Sequence, residues 1–393
     1  MRLLIVSHVI HYRWQGRLWA YGPYTREIEL WANIFPEIII VCPLRNEQAP
    51  ADCLPFEHTN IHIRPVAQRG GSSAAAKLWQ IISLPVMVLP IARAMRAADA
   101  IFVRCPGNLG LLGVMLAPLF SRYRVAKYAG QWGGYPGEAV TYRWQRRLLQ
   151  SRWWNAPVLV YGDWPNQPPH IVPFFTSLID SRLLQRAKAA AAKKKLHQPL
   201  RVLFVGRLSR SKNVHVLIHA LGDLRKGGVE TECKIIGDGP EQTRMRELSA
   251  REGLEDCVHF DGALEYEQVM PYYAWADVLV LASETEGWPK AIAEAMTFGV
   301  VCVGSNRGFV PQMVTPERGV CIPPGDVRAL AEALRAVQSD PQRYRTLSQE
   351  SAGWAQQFTI EAFQQAIHSL LQDRWQIALD QPSPASAAQR EAA

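Results

Sequence analysis

Short, unbroken apolar runs punctuate the chain, and between them lie longer stretches whose apolar residues recur at helical spacing. The pattern is most regular in the second half. LRVLFVGRL (200–208) is rich in Val, Leu and Phe and breaks at Gly206, which predicts a strand buried on both faces and a loop after it. VHVLIHALGDLRKGG carries apolar residues three and four apart and closes on glycine, which predicts a helix. CKIIGDGP predicts a second strand entering a Gly-rich turn, and EQTRMRELSAREGL a second helix. VHFDGAL, ADVLVLAS, VVCVGSN and GVCIPP continue the strand series, with helices between them. Such alternation predicts an α/β domain with a doubly wound parallel sheet. Sheets of this kind bind ligands beyond the carboxyl ends of their strands.

The first half follows the same logic less regularly. LLIVSH, EIIIVCP, AIFVRCPG, YRVAKYAG and APVLVYG predict strands, and YTREIELWANIF and LGLLGVMLAPLF predict helices between them. AKAAAAKKKLHQP (187–199) is Ala/Lys-rich and closes on Pro199, the composition of an interdomain connection. The expected division is a first domain over 1–186, a linker over 187–199 and a second domain over 200–354. An amphipathic helix follows at 355–378, and a Pro/Ser/Ala-rich tail, 381–393, is expected to be disordered.

Composition adds a compartment and a charge division. The 393 residues are 48% hydrophobic and 20% charged, which fits an ordinary globular protein of two domains. Seven cysteines without a Cys-x-x-Cys pair suggest free thiols in a reducing compartment. The apolar start is short for a signal peptide, and IISLPVMVLPIA is too short and too Pro-broken for a membrane helix. A cytoplasmic protein is the expectation. The net charge of +8 conceals an asymmetry: residues 1–198 hold 24 Lys+Arg against 10 Asp+Glu, and residues 199–393 hold 19 against 25. A basic half faces something anionic. Because YRWQRRLLQSRWW (142–154) mixes Arg with Trp and Leu, a peripheral contact with an anionic membrane is preferred to nucleic acid. A packed helix with solvated arginines explains that stretch equally well.

Three predicted strand ends carry polar chemistry. Arg207 and Lys212 follow LRVLFV and offer a guanidinium fork and a point charge to phosphate oxygens. In GDGPE, Gly237, Asp238, Gly239 and Pro240 form a tight turn whose backbone is open to a flat ligand, although this is also an ordinary turn sequence. In SETEGWPKAIAEAMTFG, Gly287, Trp288, Pro289 and Lys290 would open a helix, where free N–H groups favour phosphate. Glu286 and Glu294 flank that opening. They serve either the helix dipole and a solvated face, or the hydroxyls of one ligand. Cations for a diphosphate, carboxylates for hydroxyls and a turn for a base together describe a nucleotide-sugar.

These segments, with RGVCIPPGDVRALAEAL, resemble in order and spacing family 4 of the retaining glycosyltransferases, whose fold is GT-B: two Rossmann-like domains facing across a cleft. The match covers about 200–340 and includes that family's Glu-x7-Glu motif as Glu286 and Glu294. The resemblance implies that Arg207 and Lys212 hold the donor diphosphate, Glu286 the transferred sugar and Glu294 the ribose. Gly206 and the 287–290 backbone would line the site, and the 237–240 turn and Leu264 would frame the base. It further implies a metal-independent hexosyl transfer with retention, with no cofactor beyond a UDP- or GDP-sugar substrate. The acceptor would be a glycan or a lipid-linked glycan in cell-surface polysaccharide synthesis, and the final helix would cross back onto the first domain.

The first half departs from the family pattern. A Gly-Gly loop is usual after the first strand, but only Gly16 and Gly22 stand there, and no histidine follows YRVAKYAG. Arg104, Gln131 and Trp132, with His8 and His11 after the first strand, are the candidates for the acceptor side. His58 and His62 have i,i+4 spacing but no third ligand, so no metal site is expected. Phe309 and Gln312 replace a usual glycine and glutamate. Other readings are a related phosphorylase or epimerase, or a non-catalytic nucleotide-sugar-binding protein. A dinucleotide-dependent dehydrogenase is disfavoured, because no Gly-x-Gly-x-x-Gly follows the first strand.

Overall fold

A computed structural model describes residues 1–50, 52–67 and 87–377. The expected tail and part of the IISLPVMVLPIA run lie outside the described residues. Two parallel sheets organise the chain. In the first, the strands Arg2–Val6, Glu37–Cys42, Ile61–Pro65, Ala100–Cys105, Tyr123–Tyr128, Val158–Tyr161 and Ile171–Phe174 lie side by side in the order 3-2-1-4-5-6-7, numbered along the chain. In the second, Leu200–Val205, Thr231–Ile236, Val258–Gly262, Val278–Leu281, Val301–Ser305 and Gly319–Ile322 take the order 3-2-1-4-5-6. Each is the doubly wound arrangement, with its order reversing beside the first strand.

Alternation within the strands explains why both faces are apolar. Leu3 and Ile5 face one core of the first sheet, and Leu4 and Val6 the other. The first of these cores is completed from far along the chain. Phe363, Ile367, Leu370, Leu371 and Trp375 of the helix Ile360–Trp375 pack into it, with Trp375 against Phe35 and Tyr123. Buried side chains of this size contribute roughly 1.5–3 kcal/mol each, which fixes the last helix on the first unit.

Two features differ from the sequence expectation. The stretch 187–199, expected to be a linker, is helical in its first half. The helix Ser181–Ala192 is capped by Asp180, whose Oδ1 accepts from Leu183 N at 2.7 Å, and Leu183 and Ala187 enter the core of the second unit. A run of alanines next to a good cap supports helix as readily as it supports a connection. The loop after the first strand is not open either. It forms a hairpin, His11–Trp14 with Arg17–Tyr21, turned by Gln15 (φ 51°) and Gly16 (φ 72°), and a small separate sheet grows from it. Two consecutive positive φ values are what a two-residue hairpin turn requires.

Candidate functional site

The loops at the point of reversal in the second sheet leave Leu200–Val205 and Val278–Leu281, and they are tied to each other. Glu284 N donates to Ser211 O at 2.8 Å. Asn213 Nδ2 donates to Ala282 O at 3.0 Å and to Glu284 Oε1 at 2.7 Å. These ties bring together two residues distant in sequence: Lys212 Nζ donates to Glu286 Oε1 at 2.5 Å, with the carboxylate nearly buried. Arg207, from the same strand end, is exposed and forms no ion pair among the described residues.

The turn at 237–240 is fastened to the first loop. Gly206 N donates to Ile236 O, Leu208 N to Asp238 O and Glu241 N to Leu208 O. A Cβ on Gly237 would lie 1.9 Å from Gly206 O, so glycine is needed there for loop to meet loop rather than for a ligand to approach. Asp238 Oδ1 accepts from Gly239 N at 2.6 Å. Asp238 and Pro240 are exposed, and Leu264 is half-buried against the core.

The helix Lys290–Thr297 opens after Pro289 with no side-chain cap, so its first-turn N–H groups face the same crevice unsatisfied by any side chain. Glu294 lies on its buried face and does not meet Glu286. It accepts a hydrogen bond from Tyr273 Oη at 2.8 Å. Burial raises its carboxyl to about 7 despite Tyr273, Lys290 and Arg26. Lys290 is lowered to about 7, first by burial and then by Arg104, with Glu294 opposing, and its ammonium lies over the Tyr21 ring at 5.1 Å. Burial disfavours the charged form of both groups and their neighbours compensate only in part, as at sites that a polar ligand completes. The folded state keeps the Glu294 proton that the unfolded chain releases between pH 4.5 and about 7, so the stability associated with it falls as pH rises through that window. Glu294→Gln is therefore expected to be more stable than the parent at pH 8.5, by up to about 3 kcal/mol, with the gap closing by pH 5. Denaturant midpoints at the two pH values measure this, and a gap independent of pH would refute the buried-carboxylate assignment.

The first unit closes over this crevice. Gly287 lies against the backbone of Ala129 and Gly130, and Thr285 Oγ1 donates to Gln131 Oε1 at 3.1 Å. Gly308 (φ 57°) packs so closely that a Cβ would lie 1.8 Å from Glu286 O. The two unusual residues of the second unit join the closure. Phe309 stacks on Trp288 at 5.2 Å, and Gln312 exchanges two hydrogen bonds with the backbone of Asp163, at 2.8 and 2.9 Å. The Trp288 ring is thereby committed to an aromatic cluster with Tyr161, Phe175 and Phe358, leaving only its backbone at the helix opening.

On the first unit the reversal falls between Arg2–Val6 and Ala100–Cys105, and His8 stands there at the mouth, its ring beside Gly107. His8 is exposed at this mouth, and the surrounding protein and the neighbouring Arg104 lower it from the ordinary imidazole value. Gln131 reaches the donor-side loop, as already described. The other candidates are placed differently. His11 is buried, stacked on Phe56 and bonded to Val9 O. Arg104 is held by Glu27 at 3.1 Å and lies over Tyr24, because a cation taken from water needs a partner. Trp132 is 3% exposed, with its indole N–H on Gln167, and borders a basin formed with Trp164 and the helix Val140–Gln150. His58 pairs with Glu29 and Asn33, a structural role. Sequence reasoning missed Tyr273, Glu27 and Lys127. Lys127 is 1% exposed and its Nζ lies 2.9 Å from Glu27 Oε1, a buried ion pair.

Comparison with known proteins bears on this geometry. Residues 185–354 match the family described as glycosyl transferases group 1. Over 146 residues the chain is 37% identical to the amylovoran biosynthesis glycosyltransferase AmsK of Erwinia amylovora, a match covering 35% of this chain and 36% of AmsK. The chain thus spans about a third of the length of that relative. Solved structures extend the likeness to almost the whole chain. Sucrose-phosphate synthase from Thermosynechococcus elongatus superposes with a TM-score of 0.70 at 20% identity, covering 96% of this chain and 100% of that one. Anabaena HepE, solved in complex with UDP, gives 0.67 at 18% identity, covering 95% and 100%. The fold is GT-B. Among the described residues, no helix is long and apolar enough to cross a membrane.

Proposed function

We propose that the protein is a retaining, metal-independent glycosyltransferase of the family carrying the Glu-x7-Glu motif. It moves a hexosyl group from a UDP- or GDP-sugar to a hydroxyl of a glycan or lipid-linked acceptor in polysaccharide synthesis. The observation that carries this reading is the Lys212–Glu286 pair beside the uncapped opening of Lys290–Thr297, at the reversal point of the second sheet. The donor diphosphate takes Lys212 and the helix N–H groups, and Arg207 swings onto it from the exposed rim. Glu286, released from Lys212, accepts from hydroxyls of the transferred sugar, and Glu294 from the ribose. As the bond from the anomeric carbon to the diphosphate oxygen breaks, charge grows on the leaving phosphate, where the lysine and the helix dipole already point. The acceptor hydroxyl then bonds to the same carbon, and its proton leaves with the diphosphate. Contacts across the crevice exclude the water that would compete for the sugar. An approach to the inner face of a cell membrane through the basic first unit belongs to this reading.

Thermal shift against UDP-, GDP- and ADP-sugars tests the donor. The matching donor should raise the melting temperature in proportion to the logarithm of its concentration. With an acceptor, the product should keep the donor's anomeric configuration and form equally well in EDTA. No shift with any nucleotide-sugar, or an inverted product, refutes the reading.

A further inference from the structure

Beyond the carboxyl ends of Tyr123–Tyr128 and Val158–Tyr161 in the first unit lies an open basin of about 660 Å³. Trp132, Trp164, Arg143, Arg146, Arg147 and Gln150 line it. Its framework is already satisfied. Glu138 is consumed by Arg146, which grips both its oxygens. Gln167 Oε1 accepts from the Trp132 indole and from Gln150 Nε2, and the Trp164 indole donates to Tyr161 O. What remains unsatisfied points one way. Arg143 and Arg147, one turn apart on Val140–Gln150, are exposed like charges with no ion pair or hydrogen bond among the described residues. Gln150 Oε1 has no donor among the described residues either.

We propose that this basin is an acceptor subsite for a sugar bearing an oxyanion, either a carboxylate or a phosphate. The two guanidinium groups take the oxyanion, the partly exposed Trp164 takes the apolar face of the ring and Gln150 Oε1 takes a hydroxyl. Segment 132–134 continues directly from Gln131, which bonds Thr285 beside Glu286, so an extended acceptor runs from the basin toward the donor crevice. The assignment to an acceptor rests on the function proposed above. A membrane surface fits less well. It is flat, whereas the two free arginines border a concavity, although Trp144 on the same helix is 66% exposed.

Calorimetric titration of the full chain with glucuronic acid, glucose 6-phosphate and glucose, without nucleotide, tests the subsite. The two charged sugars should bind at least tenfold more tightly than glucose. Arg143→Ala/Arg147→Ala should weaken them at least tenfold with an unchanged melting temperature, because both positions are exposed. A response to only one charged sugar identifies the oxyanion. Glucose binding as tightly as the charged sugars overturns the subsite, and so does undiminished binding by the double variant. Anionic phosphatidylglycerol vesicles that bind through these arginines while none of the free sugars does would also overturn it. With no nucleotide present, failure here is distinct from failure of donor binding.

Discussion

Replacing Lys212 by alanine is expected to lower kcat/KM for sugar transfer by about 10²- to 10³-fold, the usual consequence of removing one preorganised group from a developing negative charge. The lysine is held in the crevice by Glu286 before any ligand arrives, so little has to reorganise when the diphosphate takes it over. Its contact with the phosphate strengthens as the leaving group gains charge, so the loss should fall mainly on kcat. Removing the lysine also strands a nearly buried carboxylate, and some stability will be lost with it. Lys212→Ala with Glu286→Gln removes that charge. If the double variant recovers stability while its transfer falls well below that of Glu286→Gln alone, the catalytic and structural effects of Lys212 separate. Steady-state kinetics and melting curves on Lys212→Ala, Glu286→Gln and the double variant measure this. A folded Lys212→Ala protein within tenfold of the parent would remove Lys212 from the chemistry.

The parts of this site that were legible in the sequence are those that local pattern controls. Unbroken Val/Ile/Leu runs marked the strands, and residues just beyond them, Lys212 and Glu286 among them, had to face the crevice whatever the rest of the fold did. Glu294 was legible as a carboxylate on an apolar helix, but neither its burial nor its partner Tyr273 was, because a tyrosine inside Tyr266–Trp275 looks like ordinary core. Departures from the family pattern acquired meaning only with both units in place. Phe309 and Gln312, which replace a usual glycine and glutamate, are contacts across the crevice, Phe309 against Gly162 and Gln312 on the backbone of Asp163. Arg104, an acceptor candidate in the sequence, is spoken for by Glu27, which shares the buried face of its helix with Tyr24, Ile28 and Trp31. Long-range pairing of charges leaves no local trace, and most of what was missed is of that kind.

Glu27→Ala is expected to cost about 3–5 kcal/mol of folding stability, the scale on which proteins respond when one partner of a buried ion pair is removed. Glu27 is 3% exposed and faces two cations, Lys127 Nζ at 2.9 Å and Arg104 Nη1 at 3.1 Å. Lys127 has no route to water. Its ammonium lies over the rings of Tyr161 and Phe363, and the latter belongs to the final helix. Burial pushes the Lys127 pKa down, and Glu27 is what keeps it charged. Burial alone would raise the Glu27 carboxyl, but Lys127 and Arg104 together hold it below its ordinary 4.5. Stability from this carboxylate is therefore present above pH 4.5 and lost as pH falls through the depressed folded value. The alanine variant should lose that acid sensitivity as well as the energy. Glu27→Leu with Lys127→Met, which removes two of the three charges and refills the space, should regain only part of the loss, because Arg104 is left without its partner. The cluster also sets the potential at Lys290, whose pKa Glu27 raises and Arg104 and Lys127 lower. Glu27→Ala should consequently lower the Lys290 pKa further, so that any titration of nucleotide-sugar affinity by this group moves from near neutrality to lower pH. Chemical denaturation at pH 7 and pH 4 decides the matter: a single variant as stable as the parent at both would mean that the three charges are not the buried, mutually dependent set described here.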